Sequence, residues 1–441
     1  MKKRLKLLRK IINLIKNFYT KNFLVKVASI NILSVLARFF SGFIVSKVSA
    51  IFIGPSGIAI TGNLSNIMQS IESLTSLGVK NGIIKYVSEN KEDKTKLKFI
   101  ISSAFTITLI ISILLFIFLF FFSSYLSFFV FKHINYSYLF KISALMMPFY
   151  SFHIFFISVM NGMKQVSELV KINVLGYFLT TIIVVFLIIT RELNGALLAI
   201  IVIPILLFCS LFYKYSYFIN IIKLIDISFI SKEFLNKIAS FFSMSLFSGI
   251  MFPVIFLFIR NYIIDNVGLN EAGYWEATRK ISNYYMLFIY AIYDMYLLPT
   301  LSEDTNSKSF KSNIFNFYKH VLPIVLVLFI TIYSFRFLVI KIVFTDQFLG
   351  MHELFCWQLF GDFFKIISFT IAYQFSAKRM IKLYIACEAV YLLFIYLSSI
   401  HLIDYYGVIG AVKAHAYSYI FYTLLMFFIF RKKLFKKDEI T

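Results

Sequence analysis

Residues 94–122 read KTKLKFIISSAFTITLIISILLFIFLFFF: three lysines in the first five positions, then an uncharged run from Phe99 to Phe122. About 20 consecutive apolar residues cross the hydrocarbon core of a bilayer, and the backbone there must satisfy its own hydrogen bonds, so the run predicts a transmembrane helix. The lysines before it mark the end that stays in the cytoplasm. The same alternation of basic flank and apolar run recurs along the chain. Apolar segments fall at about 27–50, 58–79, 99–122, 137–160, 172–190, 195–213, 238–259, 273–300, 320–343, 351–376, 383–401 and 407–430. The prediction is an all-α polytopic membrane protein with twelve transmembrane helices.

Composition agrees. Of 441 residues, 60% are apolar or aromatic and 15% charged, against about 45–50% and about 25% for a soluble globular domain. The net charge of +23 would suggest nucleic acid in a soluble chain, so its distribution decides its meaning. Alternate connections, beginning with the N-terminal segment, carry 32 Lys and Arg, whereas the six between them hold Lys132, Arg191 and Arg260. That asymmetry predicts both termini in the cytoplasm and leaves no charge needing a nucleic-acid partner. The expected organisation is a basic amphipathic segment at 1–26, a six-helix bundle at 27–213, a cytoplasmic linker at 214–237, a second six-helix bundle at 238–430 and a basic tail at 431–441, with a central cavity between the bundles. Pro148, Pro204, Pro253 and Pro323 fall within or near the ends of spans, where each permits a kink.

Catalytic and metal chemistry find little support. Cys209, Cys356 and Cys387 are isolated, the six histidines have no ligand spacing, and there is no Walker loop, HExxH or GxSxG. Each lone histidine reads as a core residue satisfied by a neighbour. No metal or cofactor is expected.

The informative residues are the polar ones inside the spans, each costing about 2.5–3.5 kcal/mol at a helix centre unless it faces a cavity or a partner. Asn31, Ser34, Arg38 and Ser41 share one helical face, as do Thr61, Ser65, Gln69, Glu72 and Ser76. Glu276, Lys280, Asn283 and Asp294 form a third stripe, and Gln358, Asp362 and Lys365 a fourth. Two stripes in each half predict a water-filled cleft between the halves. Its cations, Arg38, Arg279, Lys280 and Lys365 with Lys47 near the outer edge, point to an anionic ligand. Arg suits phosphate because its planar fork makes paired hydrogen bonds. Gln69, Asn283 and Tyr285 are candidates to contact sugars, and Asp294, Asp362 and Glu72 are candidates for ion coupling. Asp362 and Lys365, at i,i+3, could equally form a structural ion pair.

Several stretches resemble one family. Ser46-Lys47 followed by Phe52-Ile53-Gly54-Pro55-Ser56-Gly57 is similar to its GK…FGPxG pattern, and Asn81-Gly82 with Lys85-Tyr86-Val87 to its NGxxKYV stretch. Gly273-Tyr274-Trp275, Lys280-Ile281-Ser282, Tyr285 and the run Tyr296 to Ser302 resemble GxW…IS..Y…YLLPTLS. Leu354 to Leu359 with Gly361, Asp362 and Lys365 resembles LFxWQLxGDxxK. These elements, in this order, resemble the Wzx-type flippases of lipid-linked oligosaccharides, those for O-antigen and enterobacterial common antigen, in the multidrug/oligosaccharidyl-lipid/polysaccharide exporter superfamily. The resemblance implies two six-helix bundles around a cavity that opens to each side in turn. It implies a substrate of undecaprenyl-pyrophosphate-linked oligosaccharide, moved from the cytoplasmic to the periplasmic leaflet of the bacterial inner membrane, with the polysaccharide polymerase machinery as a further partner. It carries Lys47, Lys280, Asp362 and Lys365 as family-like positions; Arg279 and Asp294 rest on position alone. The alternatives are an exporter of the same superfamily, whose cavity for cationic drugs should be acidic, and a membrane-embedded polymerase or glycosyltransferase, which should carry a long external catalytic loop.

Overall fold

The computed structural model describes residues 23–226, 232–304 and 307–435. The expected amphipathic segment therefore lies outside the described residues up to position 22, as do 227–231 of the linker and 436–441 of the tail. Eleven long helices are described: α1 (Phe23–Phe52), α2 (Gly54–Asn90), α3 (Lys94–Phe121), α4 (Ser137–Gly162), α5 (Val166–Ser210), α6 (Lys232–Asn266), α7 (Leu269–Ile292), α8 (Ser307–Ser334), α9 (Leu354–Ala377), α10 (Ile381–Tyr406) and α11 (Val408–Ile429). Short helical turns join them, and no strand occurs among the described residues.

α5 is a hairpin. At Glu192 the backbone takes φ 47° and ψ −124°, breaking the helix. Gly176 then lies against Leu207 and Ser210, and Gly195 against the Leu187 carbonyl, so the two arms run antiparallel. Among the described residues nine segments are long and apolar enough to cross a membrane, one of which is this hairpin. α2 and α7 are long enough but more polar. Counting both arms of α5 and adding these two helices accommodates the twelve predicted passes. Pro148, Pro204, Pro253 and Pro323 all lie inside helices.

Within the first half, α1 packs along α5, and α4 packs against α2, α3 and α5; within the second, α11 packs against α9 and α10, and α10 against α6. The halves meet chiefly where α2 runs antiparallel to α6 and beside α7. Small residues allow the close approach. A side chain at Gly273 would place its Cβ 2.0 Å from the Pro55 carbonyl oxygen, and one at Gly62 would place it 2.9 Å from the Arg260 guanidinium carbon. Both lie toward the end of the molecule whose connections are poor in lysine. The other end is marked by Asp93, which caps α3 by accepting from the backbone N–H groups of Thr95 and Lys96 and from the Thr95 hydroxyl.

Candidate functional site

The four polar stripes meet different fates. A central cavity of about 360 Å³ opens beside α2, walled by α6, α7, α9, α10 and α11. Among the described residues, α2 alone reaches it from the first half, through Asn66 and Gln69. The expected symmetric cleft, with two polar lines from each half, is thus lopsided. Among the described residues α1 adds none to the lining: Ser41 Oγ pairs with Thr181 Oγ1 of α5 at 2.5 Å, and Arg38 is exposed outside the cavity.

From the second half the cavity receives Arg279 and Asn283 of α7, Lys365 of α9, Glu388 of α10 and His415 of α11. Asn283 and Gln69 are both exposed to it. Lys365 is enclosed by aromatic faces, its Nζ 6.0 Å from the ring centre of Tyr290, 5.8 Å from Phe369 and 5.6 Å from Tyr419. Cation–π contacts at these distances hold an ammonium group without neutralising it. Lys365 makes no ion pair within 4.0 Å among the described residues. Arg279 packs over Phe256 and Trp275, with 3.9 and 4.9 Å from guanidinium carbon to ring centre, while Nη1 reaches Glu276 at 3.1 Å.

The Asp362–Lys365 ion pair that the i,i+3 spacing allows is not formed. Asp362 is fully buried and accepts from Ser282 Oγ at 2.6 Å, Gln358 Nε2 at 3.1 Å and the Tyr285 hydroxyl, with His415 Nε2 at 3.0 Å from its other oxygen. A buried carboxylate with four partners is satisfied, which leaves Lys365 without a counter-charge in contact. His415 is the residue that sequence reasoning passed over as a lone core histidine. Its spacing carries no signal, because its partner lies 53 positions away on another helix. Tyr285, expected to touch sugar, is instead buried at this node and packs on Phe329.

The remaining candidates lie apart. Lys280 is absent from the cavity lining and sits within electrostatic reach of Glu276 and Arg260. Lys47 Nζ donates to the backbone carbonyls of Lys341, at 2.7 Å, and Phe344, tying α1 to the second half. Glu72 is hydrogen-bonded to Tyr150 of α4 within the first half. Asp294 is exposed, accepts from the Tyr373 hydroxyl at 3.2 Å, and lies with Lys80 within electrostatic reach, as Lys80 does with Arg38.

Arg260 is a second correction. The spacing placed it in an outer loop, but it is fully buried on α6, donating through Nη1 to Asn63 Oδ1 of α2 at 3.0 Å and pairing through Nη2 with Glu276. Asn63 in turn donates to Asn261 Oδ1 at 2.8 Å. This polar cluster ties the two halves together beside the close approach at Gly62 and Gly273.

Comparison with known proteins fits these features. Residues 24–305 match the family model described as polysaccharide biosynthesis protein. The chain is similar to the lipid III flippases of Escherichia coli (strain K12) and of Shigella flexneri, each 25% identical over 91% of this chain and 97% of the relative. Its fold is similar to the inward-facing conformation of a multidrug resistance MATE family transporter of the MOP superfamily, with a TM-score of 0.72 at 17% identity, covering 90% of this chain and 94% of that one. With the family model matching well over half of its length, the chain belongs to the polysaccharide biosynthesis protein family.

Proposed function

We propose that the protein is a flippase that moves an undecaprenyl-pyrophosphate-linked oligosaccharide from the cytoplasmic to the periplasmic leaflet of the bacterial inner membrane by alternating access. The reading rests on the lipid III flippase relatives and on one observation, the placement of Lys365 and Arg279 on a single cavity inside the membrane. Lys365 has an acid, Asp362, within electrostatic reach, but that acid is already satisfied by four other groups. A lysine held between aromatic rings without an ion pair is ready for an anion that arrives from outside, and a diphosphate supplies one.

In this mechanism the diphosphate enters from the lysine-rich, cytoplasmic end and is held by Lys365 and the exposed side of Arg279. The sugars lie against Gln69, Asn283 and the aromatic wall, and the polyprenyl tail remains in lipid. Opening of the opposite end, where α2 meets α6 and α7, then releases the headgroup to the periplasm. The polymerase that consumes the translocated unit is the partner downstream. The protein acts as a transporter: no bond in the substrate is made or broken.

The test is transport of a fluorescent polyprenyl-diphosphate oligosaccharide in proteoliposomes. Lys365→Met should reduce the rate at least about tenfold, the scale of one lost charge-assisted contact in a desolvated site, and Lys365→Arg should recover part of it. Wild-type rates in both Lys365→Met and Arg279→Met would overturn the assignment.

A further inference from the structure

Glu276 is shared by two arginines that serve different regions. Its Oε2 accepts from Arg279 Nη1 at 3.1 Å, and the same oxygen pairs with Arg260 Nη2. Arg279 reaches the cavity, whereas Arg260 is fully buried and holds the first half by donating to Asn63 Oδ1 at 3.0 Å. Both guanidinium groups pack over the ring of Trp275, 4.9 Å from its centre for Arg279 and 5.6 Å for Arg260. Lys280 is also within electrostatic reach of Glu276, so three cations depend on one carboxylate. In a low-dielectric interior such neighbours repel one another unless the carboxylate is shared between them.

The shared carboxylate also lies directly against the first half. A Cβ at Gly62 of α2 would stand 2.9 Å from the Arg260 guanidinium carbon and 3.1 Å from the Glu276 carboxyl carbon, so any shift of this pair is felt by the α2 backbone. Arg260 keeps one donor in reserve. Its Nε is buried without a partner among the described residues and lies on the same guanidinium edge as Nη2. A carboxylate can grip that edge at two points, the strongest arrangement of this ion pair.

We propose that Glu276 is a positioning residue for transport, passing occupancy of the cavity on to the tie between the two halves. Resting on the flippase reading, this relay supplies the step by which a bound headgroup frees the lysine-poor end. A diphosphate that draws Arg279 to itself leaves Glu276 to Arg260. Glu276 then takes Nε as well as Nη2, the guanidinium turns toward α7, and Nη1 leaves Asn63. The hydrogen bond from Arg260 to the first half is lost, and α2 separates more readily from α6 and α7. Coupling between two sites is equal in both directions, so weakening the tie at Asn63 must tighten the diphosphate.

The experiment uses the full-length protein in nanodiscs, its three native cysteines replaced by serine. Ser56→Cys on α2 and Asn270→Cys on α7 report on the crevice that both positions line at the lysine-poor end. The probes are polyprenyl diphosphate and, as control, the polyprenyl alcohol. Labelling by a water-soluble maleimide should rise about fivefold or more with the diphosphate and not with the alcohol. Arg279→Met should label at the raised rate without ligand, because Glu276 is already free; a residue that only held the headgroup would leave the unliganded rate unchanged. Asn63→Ala, outside the cavity lining, should bind polyprenyl diphosphate about fivefold or more tightly, which a merely structural role would not produce. Labelling unmoved by bound diphosphate, an ordinary unliganded rate in Arg279→Met, or no gain of affinity in Asn63→Ala overturns the relay. Should either variant misfold, the other decides. Equal binding of diphosphate and alcohol by the unsubstituted protein would instead overturn the flippase reading itself.

Discussion

α2 and α7 each take part in two places that differ in one respect. Toward the lysine-poor end, Asn63 and Glu276 are met by Arg260 and Asn261, and glycines bring the backbones into contact. About two turns further along the same helices, Gln69 and Asn283 face an open cavity whose lysine has no ion pair, and whose glutamate and glutamine each keep an unpaired oxygen, among the described residues. Polar groups inside a membrane are tolerated in both regions for different reasons: the first set is largely paired within the protein, with Arg260 Nε left over, and the second lines a cavity. Substitutions should therefore divide into those that lower stability and those that lower transport alone.

The largest stability effect is expected at Arg260. Arg260→Met strips Asn63 Oδ1 of its donor and leaves Glu276 with Arg279 as its remaining direct ion pair, and breaking a buried pair in this way costs about 3–5 kcal/mol. The unfolding temperature in detergent should fall sharply; a shift within error would erase the distinction between the two regions. Gly273→Ala comes next. Its Cβ would collide with the Pro55 carbonyl, and overpacking of this kind costs about 1–3 kcal/mol, so cross-linking between cysteines placed on α2 and α7 at this end should slow markedly. An unchanged cross-linking rate would show that the halves do not need this approach.

Lys365→Met should leave the unfolding temperature nearly unchanged, within about 0.5 kcal/mol, while transport falls. A large loss of stability there would place the lysine with the structural group. The smallest effect lies outside the membrane, at the α3 cap. The Thr95 hydroxyl and the Lys96 N–H hold the Asp93 carboxyl at about 2, below its ordinary value. Its contribution is complete above the unfolded carboxyl value near 4 and is lost as pH falls toward 2. Amide exchange at Thr95 and Lys96 should accelerate over that interval in wild type, and Asp93→Ala should remove the pH dependence.

The spans, their kinking prolines and the faces carrying Gln69, Asn283 and Lys365 can be read along the chain because helical spacing is a local property. Arg260 cannot be placed this way. A lone arginine at the end of an apolar run looks like a loop residue, and its burial depends on Asn63, nearly two hundred positions earlier, and on Glu276 of the next helix. His415 and Asp362 are separated in the same manner. The stripe on α1 shows the converse limit: its periodicity is real, but Ser41 turns to α5 and not to the cavity.

Apolar run length, the alternation of basic and basic-poor connections and the polar stripes are determined by the sequence alone, since each follows from the bilayer's thickness, its charge asymmetry and the 3.6-residue turn. Which of the polar residues satisfy one another and which are left with an unpaired atom was decided by tertiary packing. A carboxylate such as Asp362 or Glu388 looks the same in the chain; the four partners of the one and the unpaired oxygen of the other exist only once distant helices are brought together.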